Sequence, residues 1–205
     1  MMNPADFSDQ KTGRLFKTPQ GYWAFIPTLL PPKLEVSWEL TNQISKADRK
    51  LSELAGIART LPNPQLLVGP FIKREAVLSS HIEGTQASLS DLFFFEASGS
   101  VTADVSDVRE VENYVKALEY GLKRLKNFPL SLRLIREIHE KLMKRVRGEH
   151  LTPGEFRRSQ NWIGKSGCTL MDARFVPPPP DEMKDALGNL EKYLHTPSTL
   201  PPLVQ

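Results

Sequence analysis

The 205 residues predict an all-α protein, mainly helical, with one projecting β-hairpin. Three observations carry that expectation. Apolar residues recur at helical spacing over several separate segments. The connections between those segments are short and marked by Pro, Gly or a Ser cap. One stretch alone, residues 156–176, breaks the helical period and reads as extended, with a Gly-rich tip.

Residues 1–32 read as an extended arm, because Pro4, Pro19, Pro27, Pro31 and Pro32 each remove a backbone donor. Tyr22, Trp23, Phe25 and Ile26 pin that arm to the protein's own core. The first helix is expected from about Leu34 to Arg59. Its stripe is Leu40, Ile44, Ala47, Leu51, Leu54 and Ala58, and Leu61-Pro62-Asn63-Pro64 ends it. A second helix covers about Gln65 to Ile82, with Leu67, Phe71, Leu78 and Ile82 on one side. Pro70 either kinks it or marks its start, and Gly84 is its expected C-cap. Ser88 or Ser90 caps a short third helix, and Phe93, Phe94 and Phe95 are core or interface residues. After a turn-rich link, Ala97–Thr102, a fourth helix spans about Asp104–Lys126 and a fifth about Ser131–Val146.

The pattern changes at Gly148. Phe156 to Ile163 is extended in character, Gly164-Lys165-Ser166-Gly167 is a flexible tip, and Arg174-Phe175-Val176 is the return strand of the expected hairpin. Pro177 to Pro180 force extended backbone. A last helix is expected over Asp181–His195, and Pro201-Pro202-Leu203-Val204 reads as the opening of another.

Composition excludes several classes. Lys and Arg number 27 against 24 Asp and Glu, a net charge of only +3, so no general nucleic-acid binding is expected. The densest basic stretch, Lys141, Lys144, Arg145 and Arg147, reads as a solvated helix end. Cys168 is the only cysteine, so there is no disulfide framework and no zinc cluster, and the expectation is a cytoplasmic protein. No apolar signal core or membrane-length run occurs. His81, His139, His150 and His195 are scattered without metal-site spacing, and no Gly-rich phosphate loop is present. Glu137 and Glu140 read as helix-face carboxylates. On the residues alone, the reading stops at a soluble helical protein with a hairpin.

Three segments extend it. Arg74 to Leu92 reads REAVLSSHIEGTQASLSDL, Leu151 to Gly164 reads LTPGEFRRSQNWIG, and Phe175 to Pro180 reads FVPPPP. In order and spacing these resemble the Fic (filamentation induced by cAMP) family over nearly the whole chain. The first contains the family's inhibitory signature, here Ser79, Glu83 and Gly84. The second and third resemble its flap hairpin, with Asn161, Trp162 and Ile163 as the target-docking edge. The resemblance implies domains of 1–100, an N-terminal region with the inhibitory helix, and 101–205, the first part of the Fic core with the flap.

The family transfers AMP from ATP to hydroxyl side chains of target proteins, which makes ATP and magnesium the implied cofactors. Its catalytic loop, His-x-Phe-x-Asp/Glu-Gly-Asn-Gly/Ala-Lys/Arg, does not occur in these 205 residues, where the one Gly-Asn pair is Gly188-Asn189. The expectation is therefore a truncated chain, inactive alone, with no catalytic residue and no metal ligand to name. Glu83 is the residue the resemblance sets against the nucleotide: its carboxylate pairs with a nucleotide-binding arginine, and Ser79 supports it from one turn earlier. Two readings stay open. One is the regulatory and docking half of a Fic-type adenylyltransferase. The other is a stand-alone helical module that supplies Glu83 in trans, as an antitoxin does. The sequence names no target protein; self-association is expected, and no membrane or nucleic-acid partner is.

Overall fold

The computed structural model of the protein describes Phe7 and residues 12–100 and 104–205. The expected arm lies outside the described residues over 1–6 and 8–11, and the Ala97–Thr102 link does so over 101–102. The described chain runs β1 (Gly13–Lys17), β2 (Trp23–Pro27), α1 (Trp38–Thr60), α2 (Gln65–Ile82), α3 (Leu89–Ser98), α4 (Val105–Leu125), α5 (Leu132–Leu142) and α6 (Pro180–His195). It is mainly helical with a single two-stranded antiparallel hairpin, as the class predicts.

The hairpin stands where the arm was expected, not at 156–176. Leu15 pairs with Phe25 and Lys17 with Trp23. Thr18 closes the turn by donating from its backbone N–H and its hydroxyl to Tyr22 O, at 2.9 and 3.1 Å. Gly21 sits in that turn at φ +95°, a region that suits glycine. The expected flap forms a single antiparallel bridge, Ile163 with Phe175. The segment between its two sides spends its residues on a turn and a short 3-10 helix, Leu170–Asp172, so no ladder can propagate. The return segment instead joins β2: Phe25 N donates to Val176 O at 2.9 Å.

The chain forms two compact units, Met1–Asn42 with Phe156–Gln205, and Gln43–Glu155. The first is centred on Ala24, Ala173 and Val176, with Leu15, Trp23, Phe25 and Phe175 packed around them. In the second, α4 is the spine, packing against α5, α2 and α3. Val108, Val111 and Val115 of α4 meet Ala76 and Val77 of α2 and Leu92 of α3. Full burial of each larger side chain contributes about 1.5–3 kcal/mol. Gly121 lets α5 come close, since a Cβ there would lie 2.9 Å from Ile138 Cδ1.

Helix ends follow local chemistry. α1 starts at Trp38 rather than Leu34, where the Ser37 hydroxyl accepts Leu40 N–H at 3.1 Å. α2 has the expected bounds and carries Pro70 within it. Ser88, not Ser90, caps α3 in a reciprocal capping box with Asp91. The Leu67–Phe71–Leu78–Ile82 side of α2 is exposed, and the small residues Ala76 and Ser80 face α4 instead. Phe93 and Phe94 are also exposed, whereas Phe95 packs on the core. α1 buries no side chain among the described residues. No described helix is long and apolar enough to cross a membrane.

Candidate functional site: the end of α2

α2 ends in a motif that fixes Glu83 firmly at the backbone and leaves its side chain free. Glu83 is the C-cap at φ −84°, and Gly84 follows at φ +99°. Gly84 N–H donates to His81 O at 3.1 Å and Thr85 N–H to Ser80 O at 3.2 Å. This is the double bond pattern of a Schellman motif, and glycine supplies its left-handed residue. Gln86 N–H then donates to the Asp107 carboxylate at 2.7 Å, tying the exit to the first turn of α4.

The Glu83 side chain is exposed, and its carboxylate has no hydrogen bond or ion pair with the described residues. It lines a cavity of about 450 Å³ together with Ser79 and Ser80 of α2, Glu110 and Tyr114 of α4, and Leu142, Met143, Val146 and Arg147 at and beyond the end of α5. Arg147 is held: its Nε and Nη2 reach the two oxygens of Glu110 at 2.7 and 2.9 Å. That bidentate pair pushes the guanidinium's pKa up further. Ser79 turns the other way from expectation. Its hydroxyl donates to Glu75 Oε1 at 2.8 Å, one turn back, and makes no bond to Glu83.

The far wall of the cavity depends on Asn113. This buried amide of α4 donates to Leu142 O at 3.0 Å and Lys144 O at 2.7 Å, satisfying carbonyls that α5 leaves without partners. α5 therefore stops at Leu142, short of the expected Val146, and Arg145 takes φ +56°. Glu110, Tyr114, Asn113 and the α5 end were not legible as site residues. Glu110 and Arg147 lie 37 apart in sequence, and no short-range spacing announces such a pair.

Asn161, Trp162 and Ile163 belong to the other compact unit and are exposed. Both backbone groups of Ile163 are bonded to Phe175, at 2.8 and 3.0 Å. The Trp162 backbone has no bond to described residues, while its indole N–H donates to Cys168 O at 3.2 Å. The ring thus lies along its own loop with 41% of the residue exposed. A Cβ at Gly164 beside it would sit 2.3 Å from Cys168 Sγ, so any larger residue there needs that thiol to move.

Elsewhere the titratable groups are tied up structurally. Glu137 accepts from Tyr120 OH at 2.8 Å and from Arg133 and Arg124 at 2.9 and 3.2 Å. The Tyr120 bond, then the arginines, hold its pKa down at about 2. His139, exposed on α5, accepts Gly154 N–H at 2.9 Å. No group of three or more His, Cys, Asp or Glu is placed to hold a metal among the described residues. The Glu83 cavity does not fit a nucleotide's phosphates either. Two of its lining residues are carboxylates, and its one cation is already paired.

Residues 41–123 match the model of the Fic/DOC family N-terminal region. The matched stretch runs from α1 to the last turns of α4 and contains Ser79, Glu83 and Gly84. No curated protein matches the chain.

Proposed function

We propose that this chain is the regulatory and target-docking part of a Fic-type protein adenylyltransferase, with Glu83 as the inhibitory carboxylate. The observation that carries the reading is the state of Glu83: exposed, unpaired among the described residues, and fixed at its backbone within the family-matched segment. A nucleotide-binding arginine delivered to the cavity would find a bidentate acceptor there and would no longer be available to a γ-phosphate. Asn161 to Ile163 are the proposed docking edge, where the Trp162 backbone is open to an added strand. The 205 residues contain no copy of the Fic catalytic loop, so the arginine and the transfer chemistry come from residues other than these.

The test adds this protein to a Fic catalytic polypeptide that lacks an inhibitory helix, both as a separate chain and joined in one chain, and measures AMP transfer from labelled ATP. Labelling should fall when the protein is present. Glu83→Gly should restore it by at least roughly tenfold, since a charge-assisted pair exceeds the 1.4 kcal/mol that one such factor represents. Ser79→Ala should restore it less, because that hydroxyl holds Glu75. Inhibition by the separate chain favours the module acting in trans; inhibition only when joined favours the regulatory half. Equal labelling with parent and Glu83→Gly, both folded, would reduce Glu83 to an ordinary helix-end carboxylate.

A further inference from the structure

On the other side of the α5 terminus from the Glu83 cavity, a second hollow of about 270 Å³ is lined by Arg109, Glu112, Asn113, Lys116, Lys141, Lys144 and Arg145. Five of these are cations and one is an acid. Glu112 is engaged by Lys116 at 2.7 Å. The remaining four, Arg109, Lys141, Lys144 and Arg145, have no ion pair among the described residues. Lys141 lies over the Tyr120 ring at 4.2 Å, a contact that leaves its charge in place.

A solvated helix end, where cations answer the negative pole of the helix, is the plain account of such a cluster. Two observations go beyond it. Leu142 O at the end of α5 and Lys144 O just beyond it, which would attract those side chains, are already taken by Asn113, and His139 O and Lys141 O by backbone N–H groups. In addition, Arg145 adopts φ +56°, a conformation that strains any residue with a Cβ and that glycine takes freely. The chain keeps an arginine at that position and so points a guanidinium into the hollow's lining at a conformational cost.

We infer that this hollow is a binding site for a chain of linked phosphates. A terminal phosphate group carries about −1.5 to −2 charge at pH 7 and one inside a chain about −1, so two or three linked groups come close to neutralising four cations and a single one does not. Guanidinium groups at 109 and 145 suit paired phosphate oxygens, and the lysines act as adaptable point charges. The site is a compact hollow rather than a stripe, and the protein's net charge is only +3, which favours a small oligophosphate over a nucleic-acid strand. It shares no lining residue with the Glu83 cavity, so it stands or falls separately from the proposed inhibition.

Calorimetric titration of the folded 205-residue protein with inorganic triphosphate tests this. Saturable binding at one site is expected, much weaker for inorganic phosphate, and weakening as salt shortens the screening length. Arg145→Gly should weaken it by about tenfold, the scale of one charge-assisted contact, without loss of the fold, because glycine is at ease at that φ. Arg109→Gln should do the same, and Lys46→Gln, an exposed lysine of α1, should change nothing. An adenosine triphosphate arm separates sources. Equal affinity assigns the site to the phosphate chain itself, and tighter binding assigns it to nucleotides. No binding of triphosphate at low salt, unchanged affinity in Arg145→Gly and Arg109→Gln, or binding of an RNA oligomer alone would each overturn the inference.

Discussion

α2 and α5 both bring their C-termini to the cavity that holds Glu83, yet α2 ends on a glycine and α5 runs on into an arginine. At α2 the stop is local. Gly84 takes the left-handed turn, and the last carbonyls are satisfied by the next two N–H groups of the same chain. At α5 the stop is imposed from outside, by an amide on α4, and the left-handed residue three positions on is strained. A helix end written in its own residues can be read from sequence and moved with them. One written by a neighbour couples two helices, so the α5 wall of the cavity stays in place only while α4 does.

Removing the external cap should have the largest effect. Asn113→Ala deletes two hydrogen bonds and leaves carbonyls of the α5 end without their donor, which should destabilise the protein by about 2–3 kcal/mol. Denaturant midpoints followed by circular dichroism measure it. An unchanged midpoint would mean that water caps α5 as well as Asn113 does. Gly84→Ala should cost less, about 1–2 kcal/mol, and the cost should be purely conformational. A Cβ at 84 would meet nothing within 4 Å, so a larger loss would expose a packing role that the geometry lacks. Arg145→Gly should move in the opposite direction and least. Relief of left-handed strain, about 1–2 kcal/mol, is partly offset by about 0.5–1 kcal/mol of glycine entropy. A small net rise in stability is expected, and a fall would show that Arg145 is held by contacts rather than tolerated.

The same distinction explains what was legible in the sequence. The bounds of α2, a serine cap at Ser88 or Ser90 and the Gly84 turn were readable because the residues that set them are neighbours in the chain. The α5 stop was missed because its cause, Asn113, lies about 30 residues away on α4. The hairpin was expected at 156–176 because Gly164 to Gly167 resembles a hairpin tip. The two sides there are linked by a one-turn helix and meet at a single bridge. The signal for the true hairpin was present: Pro19-Gln20-Gly21 between two short runs containing Leu15, Phe16, Trp23 and Phe25. Five prolines over 1–32 outweighed it, although Pro19 lies in the turn and Pro27 ends β2, where a missing donor costs little. Ser79 stands midway between Glu75 and Glu83, and sequence spacing cannot choose between them. The helical path continues through Glu75 and ends at Glu83, which settles the bond in favour of Glu75.

The unpaired carboxylate at Glu83 sets a limit on how tightly that residue can hold anything. Fixing the rotamers of a glutamate costs about 1.5–2 kcal/mol, close to the roughly 1.5–3 kcal/mol that a hydrogen bond to a charged group returns. With Ser79 committed to Glu75, no neighbouring hydroxyl has prepaid that ordering. A single bond to a cation at the end of α2 therefore returns little net free energy, and only a grip by both carboxylate oxygens on a guanidinium supports the roughly tenfold effect expected of Glu83→Gly, a latch that closes on a matching shape rather than on charge alone.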